Sequence, residues 1–194
     1  MCLSKKPEYD FLLVCLGNPG KTYRRTRHNA GFLFAEWLAC EKDVKIKKSK
    51  FKSLYGFIKL GGRKGLVILP QTYMNLSGVA VKGFSVSYGV KPSDIIVVCD
   101  DINFDVGQMR IKRKGSSAGQ KGVGSIIEQL GTEEFPRIKL GVGDKAERQD
   151  LKDYVLSDFT DKEMTTLRSI FPEVYDAVSL TADGDIDKAM QKYN

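Results

Sequence analysis

The 194-residue chain has no apolar run long enough to cross a membrane and contains only one histidine. No stretch reaches the ~18 consecutive apolar residues of a membrane helix, and the N-terminus lacks the apolar region of a secretory signal. The cysteines show no closely spaced Cys/His pair, so we expect reduced packing thiols and no zinc site. They are Cys2, Cys15, Cys40 and Cys99. These absences predict a cytoplasmic protein that binds no metal or other cofactor.

The composition is that of a globular protein with a basic bias. Hydrophobic residues make up 42% and charged residues 28%, and the formal net charge is +7. The length predicts one domain over residues 1–194. Basic residues cluster in two segments, where each cluster is either a solvated face or a site for a polyphosphate backbone. The clusters are Lys45, Lys47, Lys48, Lys50 and Lys52, then Arg110, Lys112, Arg113 and Lys114.

Apolar patterns alternate between those of strands and those of helices, which predicts an α/β sheet with helices on both faces. Strands are predicted at 11–16, 51–60, 66–69, 95–99, 109–111 and 138–142, with a turn at 61–65. Helices are predicted from near residue 28 to about 41, at 73–88, at 123–130 and after the capping box of Thr160 and Glu163. Pro172 should kink or interrupt that helix, and a short helix should follow Gly184. The polar run 144–153 predicts a surface loop.

Polar side chains follow three of the predicted strands directly. Asn18, the segment 71–75 and Asp100 each come after a buried apolar run. In α/β sheets, ligands bind outside the carboxyl ends of the strands. We therefore expect these side chains to meet at one edge of the sheet, although they are far apart in the sequence.

His28 is the first candidate for a general base. Free histidine titrates near pKa ~6.5, so a chain with one imidazole has one ready proton acceptor near neutral pH. A lone histidine more often simply packs at the start of a helix. The residues around it decide between these two interpretations.

Gly20-Lys21-Thr22 suggests a phosphate-binding P-loop of an NTPase. The full pattern requires a glycine where this chain has Cys15. Pro19 also removes a backbone N–H from a loop that would wrap phosphates with such groups. A dinucleotide-binding fold is disfavoured too, because the G-x-G-x-x-G spacing is absent.

Five blocks together resemble the signatures of bacterial-type peptidyl-tRNA hydrolases. They occur in the family's order and spacing from about residue 10 to the C-terminus. The first combines Cys15-Leu16-Gly17-Asn18-Pro19-Gly20 with Thr26-Arg27-His28-Asn29-Ala30-Gly31-Phe32. The others are Pro70 to Gly78, Val98 to Gly107, Gly115 to Gly122 and Phe135 to Gly143. The resemblance implies a single domain with a mixed, mostly parallel twisted sheet and helices on both faces.

The resemblance also implies a reaction and its catalytic residues. The family cleaves the ester that joins a peptide to the 3′-terminal ribose of tRNA, without a metal. His28 matches the family's catalytic histidine, and Asp100 matches the carboxylate that orients it. A base that takes a proton from the attacking water contributes typically ~10²–10⁴-fold, and a His–Asp pair fixes the tautomer that this base needs.

Further matches imply how the substrate is held. Asn18 and Asn75 match amides that bind the peptide part and the scissile carbonyl, where an amide can donate or accept. Tyr23 and Tyr73 match aromatic contacts near the tRNA end, although simple packing would also explain them.

Basic residues match positions that bind tRNA phosphates. Lys112 and Lys139 match best, and Arg113, Lys114 and Arg137 are further candidates. Such contacts provide salt-sensitive affinity with little sequence readout. Together, these matches predict a monomer whose partner is the acceptor stem and 3′ end of peptidyl-tRNA.

The chain departs from the family pattern at two places. Gln120-Lys121 stands where many members carry His-Asn, so Gln120 could supply a substitute amide or Lys121 a cation near the developing charge. Cys99 replaces a frequent histidine and is predicted to pack. An RNA-binding relative that has lost catalysis is therefore an alternative, opposed by the presence of Asn18, His28, Asn75 and Asp100. Whether 144–153 closes as a lid is left open.

Overall fold

A computed structural model describes residues 8–143 and 150–194. Seven of its strands form a single sheet in the order β2-β3-β4-β1-β5-β7-β6. The strands are β1 (Phe11–Cys15), β2 (Lys48–Lys50), β3 (Ser53–Leu60), β4 (Arg63–Pro70), β5 (Ile95–Asp101), β6 (Met109–Lys112) and β7 (Arg137–Gly141).

The four central strands β4, β1, β5 and β7 run in one direction. β1 is apolar throughout, and β4 and β5 contain the apolar runs 66–70 and 95–99, as expected for strands that are buried on both faces. The outer strands β2, β3 and β6 pair antiparallel with their neighbours. Because the central strands are parallel, their carboxyl ends meet at one edge of the sheet, which we call the cleft edge.

Helices cover both faces of the sheet, which confirms the predicted fold class. On one face, Leu33 and Phe34 of α1 and Phe171 of α6 pack with Leu13 of β1. On the other face, Phe84 of α2 packs with Leu12 of β1, together with residues of α3. The helices are α1 (Ala30–Glu41), α2 (Ser77–Tyr88), α3 (Lys121–Leu130), α4 (Leu151–Val155), α5 (Asp161–Ser169), α6 (Phe171–Ala182) and α7 (Ile186–Tyr193).

The helix boundaries follow the predicted signals closely. The Thr160–Glu163 capping box forms at the start of α5. Pro172 interrupts the helical run as predicted, because α5 ends before it and the proline lies in the first turn of α6. The helix predicted at 73–88 begins later, since a 3₁₀ turn, Met74–Leu76, precedes α2.

Several expectations are wrong. Strand β2 was not expected, because its three residues are all exposed and carry no apolar pattern. The hairpin turn between β3 and β4 is shorter than predicted, since Arg63 already belongs to β4. Cys15 and Cys99 are buried as predicted, but Cys40 is exposed and does not pack in the core. Cys2 lies outside the described residues.

The expected loop at 144–153 divides into two parts. Residues 144–149 lie outside the described residues. Asp150 accepts a hydrogen bond from the backbone N–H of Lys152 and caps α4, so the end of the segment is helical rather than a loop. None of the helices in the described ranges is long and apolar enough to span a bilayer.

Candidate active site

A cleft of about 800 Å³ opens at the cleft edge of the sheet. Seven of the eight predicted site residues line this cleft. They come from segments that follow or belong to the central strands, from β1 to β7. They are Asn18, Tyr23, His28, Tyr73, Asn75, Asp100 and Lys139. The expected convergence of Asn18, segment 71–75 and Asp100 is therefore what the fold produces.

His28 lies in a 3₁₀ turn, Arg27–Asn29, that leads from β1 into α1. This turn lies close to β5 because Gly31 has no side chain. A Cβ atom there would lie 2.5 Å from the backbone nitrogen of Leu16 and 2.6 Å from the carbonyl oxygen of Val98. The glycine thus allows the start of α1 to approach the sheet and places His28 over the end of β5.

His28 and Asp100 form a buried pair. The Nδ1 atom of His28 lies 2.8 Å from Oδ2 of Asp100, and the residues are 8% and 4% exposed. Burial lowers the pKa of His28, but the charge and hydrogen bond of Asp100 outweigh it, so the pKa is raised above its usual value of 6.5. The carboxylate requires a proton on Nδ1 and leaves Nε2 as the ring nitrogen that can accept a proton.

Gln120 fixes the other oxygen of Asp100. Its Nε2 donates to Asp100 Oδ1 at 2.9 Å. Its Oε1 accepts from the backbone N–H of Val123 at 2.7 Å and caps the N-terminus of α3. Both ends of the amide are thus committed, which ties the carboxylate to the first turn of a helix. The sequence indicates Gln120 as a possible substitute amide. Its hydrogen bond to Asp100 becomes visible only in the folded structure.

Asn18 is held by its side chain and by its backbone. Its Oδ1 accepts from the backbone N–H of Met74 at 2.8 Å. The Asn29 side chain accepts from the backbone N–H of Asn18 and donates to its carbonyl oxygen. Because Oδ1 is occupied, Nδ2 is the free end of the amide, and it donates to none of the described residues. Asn29 belonged to the quoted motif, but no role had been predicted for it.

The rim of the cleft carries the other predicted substrate contacts. Tyr73 is 60% exposed and Asn75 is exposed, while Tyr23 is half-buried. Leu151, Val155 and other residues in or beside α4 form a further wall. The sequence predicts a loop over 150–153 and therefore gives no sign of this wall.

Arg27 connects that wall to the turn that carries His28. Its guanidinium donates to both carboxylate oxygens of Glu163 at 2.9 and 3.0 Å and to the carbonyl oxygen of Val142 at 3.0 Å. It also lies 4.7 Å from the ring centre of Tyr154 and 5.1 Å from that of Phe159. The position next to His28 is therefore held from α4 and α5.

The two predicted phosphate contacts differ in their surroundings. Lys139 lines the cleft and forms an ion pair with buried Asp101. Burial raises the pKa of Asp101, whereas hydrogen bonds from Lys139 and Asn103 lower it. The hydrogen bonds have the larger effect together, so the pKa of Asp101 is below its usual value. Lys112 is exposed at the end of the outer strand β6 and does not line the cleft.

Among the described lysines that line the cleft, Lys121 is the one whose charge acts on His28, and it lowers the pKa of that residue. It is exposed at the first position of α3, and its side chain has no partner among the described residues. Within residues 8–143 and 150–194, no three His, Cys, Asp or Glu side chains are grouped so that they could hold a metal ion.

Comparison with known proteins agrees with this geometry. The family model for peptidyl-tRNA hydrolase matches residues 12–194. The peptidyl-tRNA hydrolase of Caldicellulosiruptor bescii is 43% identical over 185 residues, which is 95% of this chain and 97% of that relative. The one from Carboxydothermus hydrogenoformans is 44% identical over 184 residues, 95% of this chain and 98% of that relative.

Solved structures give the same result at the level of the fold. The crystal structure of peptidyl-tRNA hydrolase from Acinetobacter baumannii has a TM-score of 0.88 and 32% identity, and the match covers 95% of this chain and 94% of that one. The likeness thus extends over almost the whole chain in sequence and in fold. This chain belongs to the peptidyl-tRNA hydrolase family.

Proposed function

We propose that His28, oriented by Asp100, is the general base with which this chain hydrolyses the ester between the peptide and the 3′-terminal ribose of peptidyl-tRNA. Its family hydrolyses peptidyl-tRNA to free tRNA and peptide. The observation that carries the proposal is the 2.8 Å contact between His28 Nδ1 and Asp100 Oδ2 at the floor of the cleft. It prepares Nε2 to accept a proton.

The chemistry follows from that tautomer. Nε2 takes a proton from a water molecule as its oxygen attacks the ester carbonyl carbon, which gives a tetrahedral oxyanion. The intermediate collapses with cleavage of the bond to the ribose oxygen. The imidazolium, stabilised by Asp100, returns its proton to that oxygen, so the products are free tRNA and a peptide carboxylic acid, which then loses its proton to solvent.

The amides act on the charge that develops. Asn18 Nδ2 is the donor for the oxyanion, and its position is fixed by the bonds that occupy Oδ1 and the backbone. A donor held in advance stabilises the transition state without the cost of reorganisation. Asn75 binds a peptide group of the substrate. Gln120 is a positioning residue, because it acts on the base only through Asp100.

The rim and the lysines hold the tRNA end. Tyr23 and Tyr73 contact the terminal nucleotides, which present flat faces to aromatic rings. Lys112 and Lys139 bind phosphates of the acceptor stem, and Lys139 exchanges Asp101 for a phosphate when it does so. We propose a cytoplasmic monomer, since every group in this scheme comes from one chain.

Release of deacylated tRNA from an N-acetyl-aminoacyl-tRNA tests the proposal. Wild-type protein should release tRNA, and His28→Ala should lower kcat by about 10²–10⁴-fold, because it removes the base. Thermal unfolding of the variant controls for the fold. A folded His28→Ala variant with normal turnover would exclude His28 as the base. A wild-type protein that binds tRNA and releases none would favour the alternative of an RNA-binding relative without catalysis.

A further inference from the structure

All of the net positive charge of this protein comes from one continuous part of the chain. Residues 44–93 contain ten Lys and Arg and no Asp or Glu, whereas the remaining residues carry 21 basic and 24 acidic side chains. This basic segment forms strands β2 and β3, the neighbouring central strand β4, and helix α2. These elements make up one lateral side of the sheet and the helix that packs on it.

Within the basic segment, a cluster of lysines lies on strand β2 and its flanks. Lys45, Lys47, Lys48, Lys50 and Lys52 are all exposed, and none forms an ion pair among the described residues. With exposed Lys82 of α2, they form a surface that we call the basic face. No acidic side chain of the described residues holds these lysines, and among them Lys50 alone donates a hydrogen bond, to the hydroxyl oxygen of Tyr88 at 3.1 Å, that contact with an anion would replace.

The basic face is continuous with the rim of the cleft. The backbone N–H of Gln71 donates to the carbonyl oxygen of Lys52 at 2.7 Å, and Tyr73 of the rim follows two residues later. Ser53 pairs with Pro70 at the end of β4, so Lys52 lies at the cleft edge of the sheet. Phe51 packs on Phe84 with ring centres 5.3 Å apart, which joins the β2 side to α2.

The same region carries most of the exposed large apolar side chains. Of the six in the described residues, Phe57, Tyr73, Leu76, Val79 and Val86 belong to the basic segment. By contrast, residues 150–194 carry ten acidic and five basic residues, so the C-terminal helices repel a polyanion. Lysines beside exposed rings and apolar side chains are typical of surfaces that bind nucleic acids.

We propose that the basic face binds the ribose–phosphate backbone of the tRNA body, beyond the 3′ end that enters the cleft. The proposal rests on the proposed function, which supplies tRNA as the partner. The basic face is a second phosphate-binding surface, separate from Lys112. Lys112 lies on β6, the outermost strand on the other lateral side of the sheet from β2. Lysines on an edge strand also discourage pairing with other sheets, but that role does not require Lys82 on the neighbouring helix or the absence of acidic residues.

The test compares two sets of three lysines. K45Q/K47Q/K52Q removes charge from the basic face, and these side chains form no hydrogen bond, ion pair or ring contact with the described residues. K59Q/K64Q/K91Q is the matched control. Lys59 pairs with Lys64 beside the hairpin turn, and Lys91 precedes β5, so the control lysines lie at the end of the sheet that is opposite the cleft.

Binding of deacylated tRNA, measured by fluorescence anisotropy against salt, gives the result without any catalysis. The face variant should raise Kd by about tenfold at ~0.1 M salt and lower the slope of log K against log salt by about 2–3, since each lost phosphate contact lowers it by about one. The control should stay within about twofold of wild type, and K45R/K47R/K52R should bind as wild type does. Equal losses in the face variant and the control would overturn the proposal.

A short substrate separates this proposal from the proposed function. The N-acetyl-aminoacyl ester of a CCA trinucleotide reaches the cleft but not the basic face. The face variant should hydrolyse it at the wild-type rate while its KM for full-length substrate rises about tenfold. Similar losses on both substrates would overturn the basic face as a site for the tRNA body. Failure of the wild type on both would instead contradict the proposed function.

Discussion

Polar side chains are held by several hydrogen bonds on the floor of the cleft, whereas those of the basic face are exposed and loosely held. On the floor, Asp100 is bound through both oxygens, and the amides of Asn18 and Gln120 have their oxygens occupied by backbone N–H groups. On the basic face, the lysines are exposed and have no acidic partner in the described ranges 8–143 and 150–194. The contrast matches two tasks: bond cleavage needs donors held in place, whereas a phosphate backbone is bound by charges that need little fixed geometry.

Among the amides on the floor of the cleft, the larger effect is expected from Asn18. Asn18→Ala should lower kcat by about 10²–10³-fold, because it removes a fixed donor for the oxyanion. It also removes the acceptor for Met74, so the free energy of unfolding should fall by about 1–3 kcal/mol. Asn18→Asp is the matched variant, since it keeps an acceptor for Met74, loses the donor and adds a negative charge where the oxyanion forms. Both should bind deacylated tRNA as wild type does.

The contrast between the floor of the cleft and the basic face would be wrong if the Asn18 variants weakened tRNA binding as much as K45Q/K47Q/K52Q does. It also fails if Asn18→Asp, with the acceptor retained, keeps full turnover. Either result would mean that Asn18 contributes no catalytic donor. Single-turnover rates and tRNA affinity, measured on the same preparations, distinguish these outcomes.

A smaller effect is expected at Gln120. Gln120→Ala should lower kcat by about tenfold, because a hydrogen bond to a charged group contributes ~1.5–3 kcal/mol and ~1.4 kcal/mol corresponds to tenfold. It also removes the N-cap of α3, which lowers the free energy of unfolding by about 1 kcal/mol. Gln120→Glu keeps a cap acceptor but sets a second carboxyl group against Asp100, so it should be at least as slow as Gln120→Ala. A folded Gln120→Ala variant that cleaves at the wild-type rate would show that Asp100 needs no such donor.

Much of the fold and the central pair could be predicted from the sequence. Continuous apolar runs identified the central strands, and the rule for parallel strands placed Asn18 and Asp100 at one edge. The His28–Asp100 contact, expected from the resemblance, is present at 2.8 Å. These features could be predicted because they depend on local patterns and on the direction of the chain.

Other features depend on neighbours that a sequence does not give. Lys139 pairs with Asp101 of the adjacent strand, a contact that only the register of β5 and β7 reveals. Strand β2 has no apolar pattern and exists because β3 offers it an edge. The sequence does not predict helix α4. A helix this short, held by packing and one N-cap, contains too few residues to show a helical pattern of apolar positions.

The pH dependence of kcat/KM in wild type and Asp100→Asn tests the pairing of His28 with Asp100 most directly. Neutral His28 is the base, so kcat/KM should fall as the pH drops through a pKa that Asp100 holds above 6.5. In Asp100→Asn, burial and Lys121 remain and both lower that pKa. The acid limb should therefore move to lower pH, and the rate should fall by up to about 10⁴-fold. An acid limb at the wild-type position, or an unchanged rate, would contradict the account.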